Sequence, residues 1–554
     1  MPLLSATLAL MVWSTALQIP PVSAAPPPIT FTDVAATEGV LFQHVNGATD
    51  EKMLPETYGA GVAFADLDGD GDLDLYFVNS GSLTAGRGVA INRVFSNHPT
   101  GDSSRFHDVS ATAGAAGVGF GMGALAGDFD GDGDTDLYTT ELGADRMYAN
   151  GSQGMFSDVT VGAGLGGNSW GTSAVYIDAD LDGDLDLFVA DYVEFSAADN
   201  PWCGRRDMGL RFYCDPRQYR STADRFYLNA GGHDGPIYTE VGAARGITKK
   251  GNGLGVVAAD FDADGAPDLY VANDMTANFL YHNDGAGHFT EGALTLGLAF
   301  SGDGAAQAGM GVDTGDYDGD GDIDLVVTNY QLEHNALYRN EGAWWADASF
   351  PTGLGEASLN YLGFGVGFFD YDNDGRLDLF VANGHVHDNI EAYDPIVTHA
   401  QRAQVFHNEA AVFVERTNDL GSGLQGRHVG RGSAFGDYDG DGDLDVAVNS
   451  NAGAAVLLRN DGAVGNWLRL ALVGRGSNKI GVGARVRVLA AGEMRTRWVA
   501  AGSGYLSTSE GVVHVGLGAA ASADRVEVRW PSGALQVLTD VPGHQLLRLE
   551  EPAP

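Results

Sequence analysis

The fold of this chain is decided by a nine-residue stretch, residues 66–74, which reads DLDGDGDLD and is followed at once by LYFVN. In this stretch positions 1, 3, 5 and 9 are Asp and position 6 is Gly. The same five positions recur in six further copies, so that the chain holds loops 1–7. The later copies are DFDGDGDTD from Asp128, DADLDGDLD from Asp178, DFDADGAPD from Asp260, DYDGDGDID from Asp316, DYDNDGRLD from Asp370 and DYDGDGDLD from Asp437.

The spacing of these carboxylates predicts calcium loops. Calcium takes about 6–8 oxygen ligands, and short carboxylates at alternate positions of a tight turn can converge on one ion. Position 7 would bind through its backbone carbonyl, so its side chain is free to vary, and the Gly at position 6 tolerates a positive φ. An EF-hand opens with the same letters but needs a Glu at position 12 and flanking helices. Here the last carboxylate opens a strand.

We therefore expect up to seven Ca²⁺ ions, each in a loop between two strands. The expected ligands at positions 1, 3, 5, 7 and 9 are Asp66, Asp68, Asp70, Asp72 and Asp74; Asp128, Asp130, Asp132, Asp134 and Asp136; Asp178, Asp180, Asp182, Asp184 and Asp186; Asp260, Asp262, Asp264, Ala266 and Asp268; Asp316, Asp318, Asp320, Asp322 and Asp324; Asp370, Asp372, Asp374, Arg376 and Asp378; Asp437, Asp439, Asp441, Asp443 and Asp445.

The alternative is a set of acidic surface turns that bind no metal. Four carboxylates on one turn would then repel one another without compensation. The invariant positions alone take up 28 of the 74 acidic residues of a chain whose net charge is −43. A chain this acidic has no basic face for a nucleic-acid backbone, so nucleic acid is excluded as a partner.

Each loop lies within a longer repeated unit. A Gly stands seven residues before the first Asp of every loop, and a second Gly follows two residues later except at Ser173. Each unit then reads as four short strands, with loop spacings of 62, 50, 82, 56, 54 and 67 residues. This pattern predicts an all-β fold, a seven-bladed β-propeller, rather than a single sheet or a solenoid. Residues 29–40 resemble a last strand and are expected to close the ring.

A polar residue ends each strand that follows a loop, on the opposite face of the ring. Two interpretations remain open, because such residues cap turns and would also form a ligand-binding rim. The rim hypothesis assigns ligand binding to Asp191, Asn273, Asn329 and Asn383, together with Arg205 and Arg206 from a nearby insertion. The full set of strand ends is Asn79, Glu141, Asp191, Asn273, Asn329, Asn383 and Ser450.

The insertion, residues 192–224, interrupts the repeats between the third and fourth units. It contains the only two cysteines, Cys203 and Cys214, which we expect to form a disulfide, as is usual in exported proteins. Loops of this length are usually functional or disordered, and a stapled loop is not expected to be disordered. It is either a cap over the face or a structural plug. Nearby in the same face, His385 and His387 are interpreted as surface-loop residues rather than as a metal site.

The two ends of the chain differ from the repeats. Residues 1–24 contain an apolar run that ends in Val-Ser-Ala and are predicted to be a signal peptide, with the propeller in residues 25–463. No other stretch is long and apolar enough to span a membrane. Residues 464–554 alternate strongly and predict a small all-β domain, whose charge of +3 contrasts with −46 for the remainder. This domain is expected to dock on the acidic propeller or on an acidic partner.

These motifs resemble a known family. The D-x-D-x-D-G-x-x-D units are similar to the FG-GAP/VCBS repeats of integrin-α-like propellers. The C-terminal NKIGVGARVRV, GSGYLS, VHVGLG and VEVRWPSG resemble an ASPIC/UnbV domain. The pairing is similar to the cartilage acidic protein family and its bacterial relatives. The resemblance implies an exported, calcium-loaded propeller used in adhesion or ligand recognition, and it implies no particular ligand.

Three functions are compatible with the sequence. The first is a secreted, periplasmic or cell-surface recognition module that binds an extracellular glycan or protein; its oligomeric state is open. This hypothesis is favoured because the chain carries no nucleophile elbow, HExxH motif, phosphate-binding loop or dinucleotide fingerprint, so no catalytic residue is assigned. The second is an enzyme with Glu141 and Asp191 as an acid/base pair. The third is a structural surface protein that binds its own copies.

Overall fold

A computed structural model of the protein describes residues 29–83, 90–98, 104–231, 237–462 and 465–553. The predicted signal peptide lies outside these ranges. The described residues are almost entirely strands and turns, which confirms the all-β class. Their helices are single turns: α-helices at Ser110–Ala113, Ala293–Leu296 and Leu354–Ser358, and 3₁₀ helices at Leu54–Thr57, Ala197–Asp199, Pro216–Gln218, Gly242–Arg245, Ile390–Ala392 and Gly423–Gln425. Across these ranges, none of the helices has the length and apolar character needed to cross a membrane.

The described repeats form seven antiparallel units of four strands, here called sheets 1–7. The first strand of the chain, β1 (Phe31–Asp33), belongs to the last of them. Sheets 2 and 3 are joined into one eight-stranded sheet, where Ser169 pairs with Gly143. Sheet 1 contains β2 (Val62–Ala65), β3 (Asp74–Phe77), β4 (Arg93–Asn97) and β5 (Phe106–Asp108). Sheet 2 contains β6 (Phe120–Gly127), β7 (Asp136–Gly143), β8 (Arg146–Asn150) and β9 (Phe156–Asp158).

The insertion lies between two strands of sheet 3 and forms small sheets of its own. Sheet 3 itself contains β10 (Ser169–Ile177), β11 (Asp186–Asp191), β16 (Arg225–Asn229) and β17 (Tyr238–Glu240). Between its second and third strands lie β12 (Val193–Glu194), β13 (Cys203–Arg205), β14 (Leu210–Phe212) and β15 (Arg220–Ala223), and β15 also pairs with β18 (Lys250–Gly251).

The remaining repeats follow the same plan without insertions. Sheet 4 contains β19 (Gly253–Ala259), β20 (Asp268–Asn273), β21 (Phe279–Asn283) and β22 (Phe289–Glu291). Sheet 5 contains β23 (Val312–Gly315), β24 (Asp324–Val327), β25 (Ala336–Asn340) and β26 (Trp345–Asp347). Sheet 6 contains β27 (Gly363–Phe369), β28 (Asp378–Asn383), β29 (Gln404–Asn408) and β30 (Phe413–Glu415). Sheet 7 contains β31 (Gly430–Gly436), β32 (Asp445–Ser450), β33 (Val456–Asn460) and β1.

The sheets form a closed ring. Their first strands contact one another in the cyclic order β2, β6, β10, β19, β23, β27, β31 and back to β2. The ring closes as the sequence predicts, because β1 pairs with β33 and Phe31 lies opposite Asn460. Sheet 7 therefore combines a strand that precedes the first repeat with strands of the last repeat. This pairing covers the edge of β33 and stabilises the ring against opening.

The Gly-x-Gly strands line the centre, where neighbouring backbones meet. A Cβ placed on Gly311 would lie 2.0 Å from the carbonyl oxygen of Phe364 in the next sheet, and one on Gly255 would lie 2.2 Å from that of Met310. Only Gly fits such an approach. The exception is Ser173, whose hydroxyl donates a hydrogen bond to the carbonyl of Leu254 in the next sheet at 2.6 Å.

The C-terminal residues form a small sandwich of two sheets, consistent with the predicted all-β domain. One sheet contains β34 (Asn466–Val473), β37 (Val513–Gly518) and β40 (Leu546–Glu550). The other contains β35 (Arg485–Ala490), β36 (Glu493–Trp498), β38 (Ser522–Arg529) and β39 (Leu535–Pro542). The inward faces of both sheets share one core, which includes Leu468, Val486, Val515, Val528 and Trp530.

The centre of the ring is filled by this C-terminal domain. Residues 499–510, the axial segment, leave β36 and pass between the inner strands. Tyr505 is fully buried, and its hydroxyl donates to the carbonyl of Tyr58 at 3.1 Å. Backbone bonds join the segment to four sheets: Thr508 to Val62 and Phe64, Leu506 to Ala124, Ala501 to Tyr176, and Gly504 to Val312. The ring and the domain are therefore packed as one body.

Neighbouring sheets are also joined by one buried Asn each. In sheet 4 the Asn283 amide donates to the Ala179 carbonyl of loop 3 at 2.8 Å and to the Pro267 carbonyl of its own loop at 3.0 Å. All seven sheets repeat the link to the preceding loop, through Asn97 to Tyr438, Asn150 to Leu67, Asn229 to Phe129, Asn283 to Ala179, Asn340 to Phe261, Asn408 to Tyr317 and Asn460 to Tyr371.

We expect Asn283→Ala to lower the free energy of unfolding by about 1–3 kcal/mol, because it leaves the buried carbonyl of Ala179 and the half-buried carbonyl of Pro267 without this donor. The exposed Asn418→Ala is the matched control and should be neutral. Urea denaturation of both variants is the measurement. Equal stability of the two variants would contradict a role for the Asn links.

Candidate metal loops and the two covered faces

Each loop is held open by its own backbone. In loop 1, Asp66 accepts from the amides of Gly69 at 2.8 Å and Gly71 at 3.1 Å, while Asp70 accepts from Asp72 at 3.0 Å. Loop 2 repeats these bonds from Asp128 and Asp132. These bonds fix the carboxylates of positions 1 and 5 on one turn. The local sequence therefore holds several carboxylates close together.

The Asp at position 9 connects each loop to its sheet. In sheet 2, one oxygen of Asp136 accepts from the backbone amide of Phe129 in its own loop at 3.1 Å. Its other oxygen accepts from the backbone amide of Asn150 at 2.7 Å. All seven position-9 residues repeat both bonds, and each is at most 2% exposed: Asp74, Asp136, Asp186, Asp268, Asp324, Asp378 and Asp445.

The loops have the geometry for a cation. Three carboxylate oxygens of Asp66, Asp68 and Asp74 lie within 4.8 Å of one another, as do those of Asp128, Asp130 and Asp136. In loops 3–7, buried oxygens have no hydrogen-bond partner among the described residues: Oδ1 of Asp178, Asp180, Asp260, Asp316, Asp370 and Asp439. Buried carboxylate oxygens without a donor are costly, and a hard divalent cation such as Ca²⁺ would satisfy them.

Protonation would reduce the same repulsion. Burial, reinforced by neighbouring carboxylates, raises the pKa of Asp136 and of Asp324 to about 9. The same causes raise the pKa of Asp74 and of Asp186 to about 8. At neutral pH these groups would hold protons unless a cation replaced them.

Basic side chains reach several loops, a feature that the sequence analysis missed. His98 Nδ1 lies 2.9 Å from Asp70, His282 Nδ1 lies 3.2 Å from Asp268, and His407 Nδ1 lies 3.1 Å from Asp378. Each His is adjacent to the linking Asn of its third strand, which is a signal that the sequence does carry. In loop 6, Arg376 also folds back onto Asp374.

The C-terminal domain covers loops 6 and 7. Arg469 bridges Asp437 of loop 7, at 2.7 Å, to Glu510 of its own domain. Gly516 donates its amide to Asp370 at 3.1 Å, and Arg497 donates to the carbonyl of Gly375 at 3.1 Å. The expectation that the basic domain docks on the acidic ring is thus met, on the face that carries the loops.

The insertion covers the opposite face as a cap. The predicted disulfide joins Cys203 and Cys214, whose Cα atoms lie 5.3 Å apart. From sheet 3 the cap reaches the segment before sheet 1, where Arg211 lies 2.6 Å from Glu51. It also reaches the loop after β28, where the ring centroids of Phe212 and Tyr393 lie 4.5 Å apart. Arg205 and Arg206 are exposed at the tip of the hairpin.

The predicted rim residues are buried on the same face as the cap. The Asn273 amide donates to the carbonyl of Ala277 at 3.0 Å, and that of Asn329 donates to the carbonyl of His334 at 2.8 Å. The Asn383 amide likewise donates to the carbonyl of Arg402 at 3.1 Å. These bonds within single sheets favour the turn-capping interpretation. The assignment of these residues to a ligand site stays a prediction.

Asp191 and Glu141, the hypothetical acid/base pair, also have internal partners. Arg225 lies between Asp191 at 2.6 Å and Asp145 at 2.8 Å, and Arg146 lies 3.2 Å from Glu141. Burial raises the pKa of Glu141 to about 7 and also raises that of Asp191. Both acids serve as partners of arginines that hold the strands of sheets 2 and 3.

The interpretation of His385 as a surface residue is wrong. Its side chain is fully buried, Nδ1 accepts from the His387 amide at 3.0 Å, and Nε2 lies 3.2 Å from the hydroxyl of Tyr330. The covering insertion explains the burial, since Phe212 and Tyr213 both pack near His387. With both ring nitrogens occupied, His385 has no free ligand atom.

Family models match both parts of the chain. A model described as FG-GAP-like repeat matches residues 66–139, 128–189, 260–327 and 316–381. A model described as ASPIC and UnbV matches residues 474–554.

Cartilage acidic protein 1 is similar over part of the chain. The mouse and human proteins are each 30% identical over 305 residues, which is 53% of this chain. That match covers 44% of the mouse protein and 43% of the human protein, so the chain spans less than half the length of these relatives.

Three solved structures resemble this chain at low sequence identity. An Agrocybe aegerita lectin that recognises non-reducing terminal N-acetylglucosamine has a TM-score of 0.37 at 14% identity, over 72% of this chain and 93% of its own. The rhamnogalacturonan lyase YesW has a TM-score of 0.36 at 12% identity, and the match covers 74% of each chain. YCF48 bound to D1 peptide has a TM-score of 0.40 at 7% identity, and the match covers 77% of this chain and 99% of the YCF48 chain.

The raised pKa values predict how pH affects the metal-free protein. Because the folded-state pKa of Asp136 and Asp324 lies near 9, above the ordinary value of about 4, the folded form binds more protons between these limits. The free energy of unfolding should therefore be highest near pH 5 and fall as the pH rises toward 9.

Urea unfolding of resin-stripped protein from pH 5 to pH 9 measures this slope. The same series in calcium is the control, and there the decline should be absent. A metal-free protein whose stability rises over this range would contradict the raised pKa values.

Proposed function

We propose that this chain, whose repeats match the FG-GAP-like repeat model and whose C-terminal residues match the ASPIC and UnbV model, is an extracellular, calcium-loaded recognition module related to cartilage acidic protein 1. The observation that carries the proposal is the carboxylate clusters of the loops, together with the unpartnered buried oxygens of loops 3–7. Millimolar calcium outside cells suits such sites, which are tuned by carboxylate count and rigidity.

Calcium would supply charge neutralisation here, and the protein supplies the oxygens. Asp66, Asp68 and Asp70 would contribute carboxylates, Asp72 its backbone carbonyl and Asp74 its carboxylate; the other loops would use the corresponding residues. Because position 9 also holds the third strand, an occupied loop would stiffen its whole sheet. Binding to the folded state alone stabilises by about 2.7 kcal/mol per site at a hundredfold excess over Kd.

Recognition is assigned to the tip of the cap. The centre of the ring is filled by the axial segment, so a partner meets the outer surfaces. At the tip, Arg206 lies over the ring of Trp202 at 4.1 Å and Met208 is 49% exposed. Arg205 is also exposed and pairs with Asp207 at 2.8 Å. A cationic and aromatic tip on a body of net charge −43 suits an anionic face of an extracellular glycan or protein.

An enzymatic role is less well supported. Its hypothetical pair, Glu141 and Asp191, is buried, and each carboxylate faces an arginine of its own region. A general acid or base must reach the proton that it moves. Self-association remains an outcome of the binding test below.

Asp132→Ala should remove one calcium ion. Asp132 is an exposed position-5 residue of loop 2, a loop that lies apart from the domain contacts described above. Equilibrium dialysis followed by metal analysis should give one ion fewer per chain than in the parent protein. The matched control, Asp199→Ala, removes an exposed acid of the insertion and should leave the count unchanged. A count of zero in the parent would refute the calcium proposal.

Arg205→Gln/Arg206→Gln should abolish recognition without loss of stability. The calcium-loaded protein would be tested on arrays of glycans and matrix proteins, with itself among the targets. The double variant should lose its binding partner, because the cationic tip is removed. Arg548→Gln, an exposed change in the C-terminal domain, is the control. A partner that binds the double variant as tightly as the parent would place recognition elsewhere.

A further inference from the structure

A cavity of about 410 Å³ lies between the loop face of the ring and the C-terminal domain. Small-molecule sites typically enclose about 300–1,000 Å³. One wall is built by loops 3–5, including Asp260 and Asp322. The other wall is the sheet of β35, β36 and β38, and the floor includes Phe368 and Phe435. The described residues thus enclose a space at the junction of the two parts.

Three residues form a row on the domain wall. Arg485 lies directly opposite Trp498 on β36 and directly opposite Arg529 on β38. Residues in register on adjacent strands project from the same face of a sheet. All three line the cavity. The row therefore presents an indole ring beside two guanidinium groups.

The guanidinium groups of Arg485 and Arg529 have neither an ion pair nor a hydrogen bond among the described residues. Nearby arginines on the same strands differ, since Arg487 and Arg525 both pair with Glu527. Like charges directly opposite in a sheet are destabilising. Two opposed cations facing a cavity indicate a place for an anion, and their forked donors suit a carboxylate or sulfate.

The other walls offer complementary groups. Asp313 is half-buried, lines the cavity and accepts from the Phe368 amide at 2.8 Å, and it also accepts from the Thr314 amide and the Ser503 hydroxyl. Carboxylates accept hydrogen bonds from hydroxyl groups. Trp498 is partly exposed and packs against the core of sheets 4 and 5, so its position is fixed. A flat ring, hydroxyl acceptors and an anion site together match the chemistry of an acidic sugar.

We propose that this cavity binds a small saccharide that carries a carboxylate or a sulfate ester. The anionic group binds Arg485 and Arg529, the sugar ring lies against Trp498, and Asp313 accepts from a hydroxyl. The site lies on the opposite face from the cap, and it does not depend on recognition at the cap.

The experiment is calorimetric titration of the full, calcium-loaded protein with glucuronate and with N-acetylglucosamine 6-sulfate, which distinguish the two anions. Glucose and inorganic sulfate are the comparison probes. At least one acidic sugar should bind, and Arg485→Gln/Arg529→Gln should weaken it about tenfold or more, since a charge-assisted bond contributes about that factor. Arg525→Gln is the matched control, because it neutralises an arginine of β38 that does not line the cavity.

Each other result overturns the proposal. Absence of binding at millimolar sugar in folded protein would do so, and so would binding that Arg485→Gln/Arg529→Gln leaves unchanged. Inorganic sulfate as tight as the sugars would reduce the site to an ion site. Binding lost only in Arg205→Gln/Arg206→Gln would place the sugar at the cap, which supports the recognition proposal and refutes this one. Both variants alter exposed or half-buried side chains, and circular dichroism verifies their folding.

Discussion

The structure depends on one buried carboxylate in each repeat, the Asp at the ninth position of the loop. One of its oxygens holds the loop and the other holds the third strand of the sheet, as Asp136 does through Phe129 and Asn150. A carboxylate this deep is unstable as a bare anion next to its neighbours. A cation would resolve that conflict, and the same residue would then join metal, loop and sheet.

The linking Asn spreads this local arrangement around the ring. The backbone amide of Asn283 donates to Asp268 of its own loop, and its side-chain amide donates to the Ala179 carbonyl of the preceding loop. The linking Asn therefore ties each sheet to its neighbour. The C-terminal domain adds a second tie, because the axial segment bonds to the inner strands and Arg469 reaches loop 7. The fold therefore behaves as one unit, in which occupancy of a loop bears on contacts in the neighbouring sheet.

Much of this architecture follows from spacing. The loops, the Gly-x-Gly strands and the closing strand are short, regular patterns, and the two cysteines leave one pairing. The linking Asn was missed because it follows position 9 by 14 residues in sheet 2 and by 43 in sheet 3, so no fixed period reveals it. The axial segment was missed because nearly all its bonds to the ring involve a backbone group of at least one partner, and such bonds leave no residue pattern in the sequence. The polar strand ends were ambiguous because capping a turn and binding a ligand require the same side chains, and only burial separates the two roles.

Hydrogen exchange at the linking asparagines tests the central claim most directly. The amide of each one is bonded to the position-9 carboxylate, from Asn97 in sheet 1 to Asn460 in sheet 7. Exchange followed by mass spectrometry, on peptides that contain the third strands, would be compared with and without calcium. The account predicts that removal of calcium speeds exchange in the third strands of all seven sheets together. Unchanged protection of these strands in metal-free protein would contradict it.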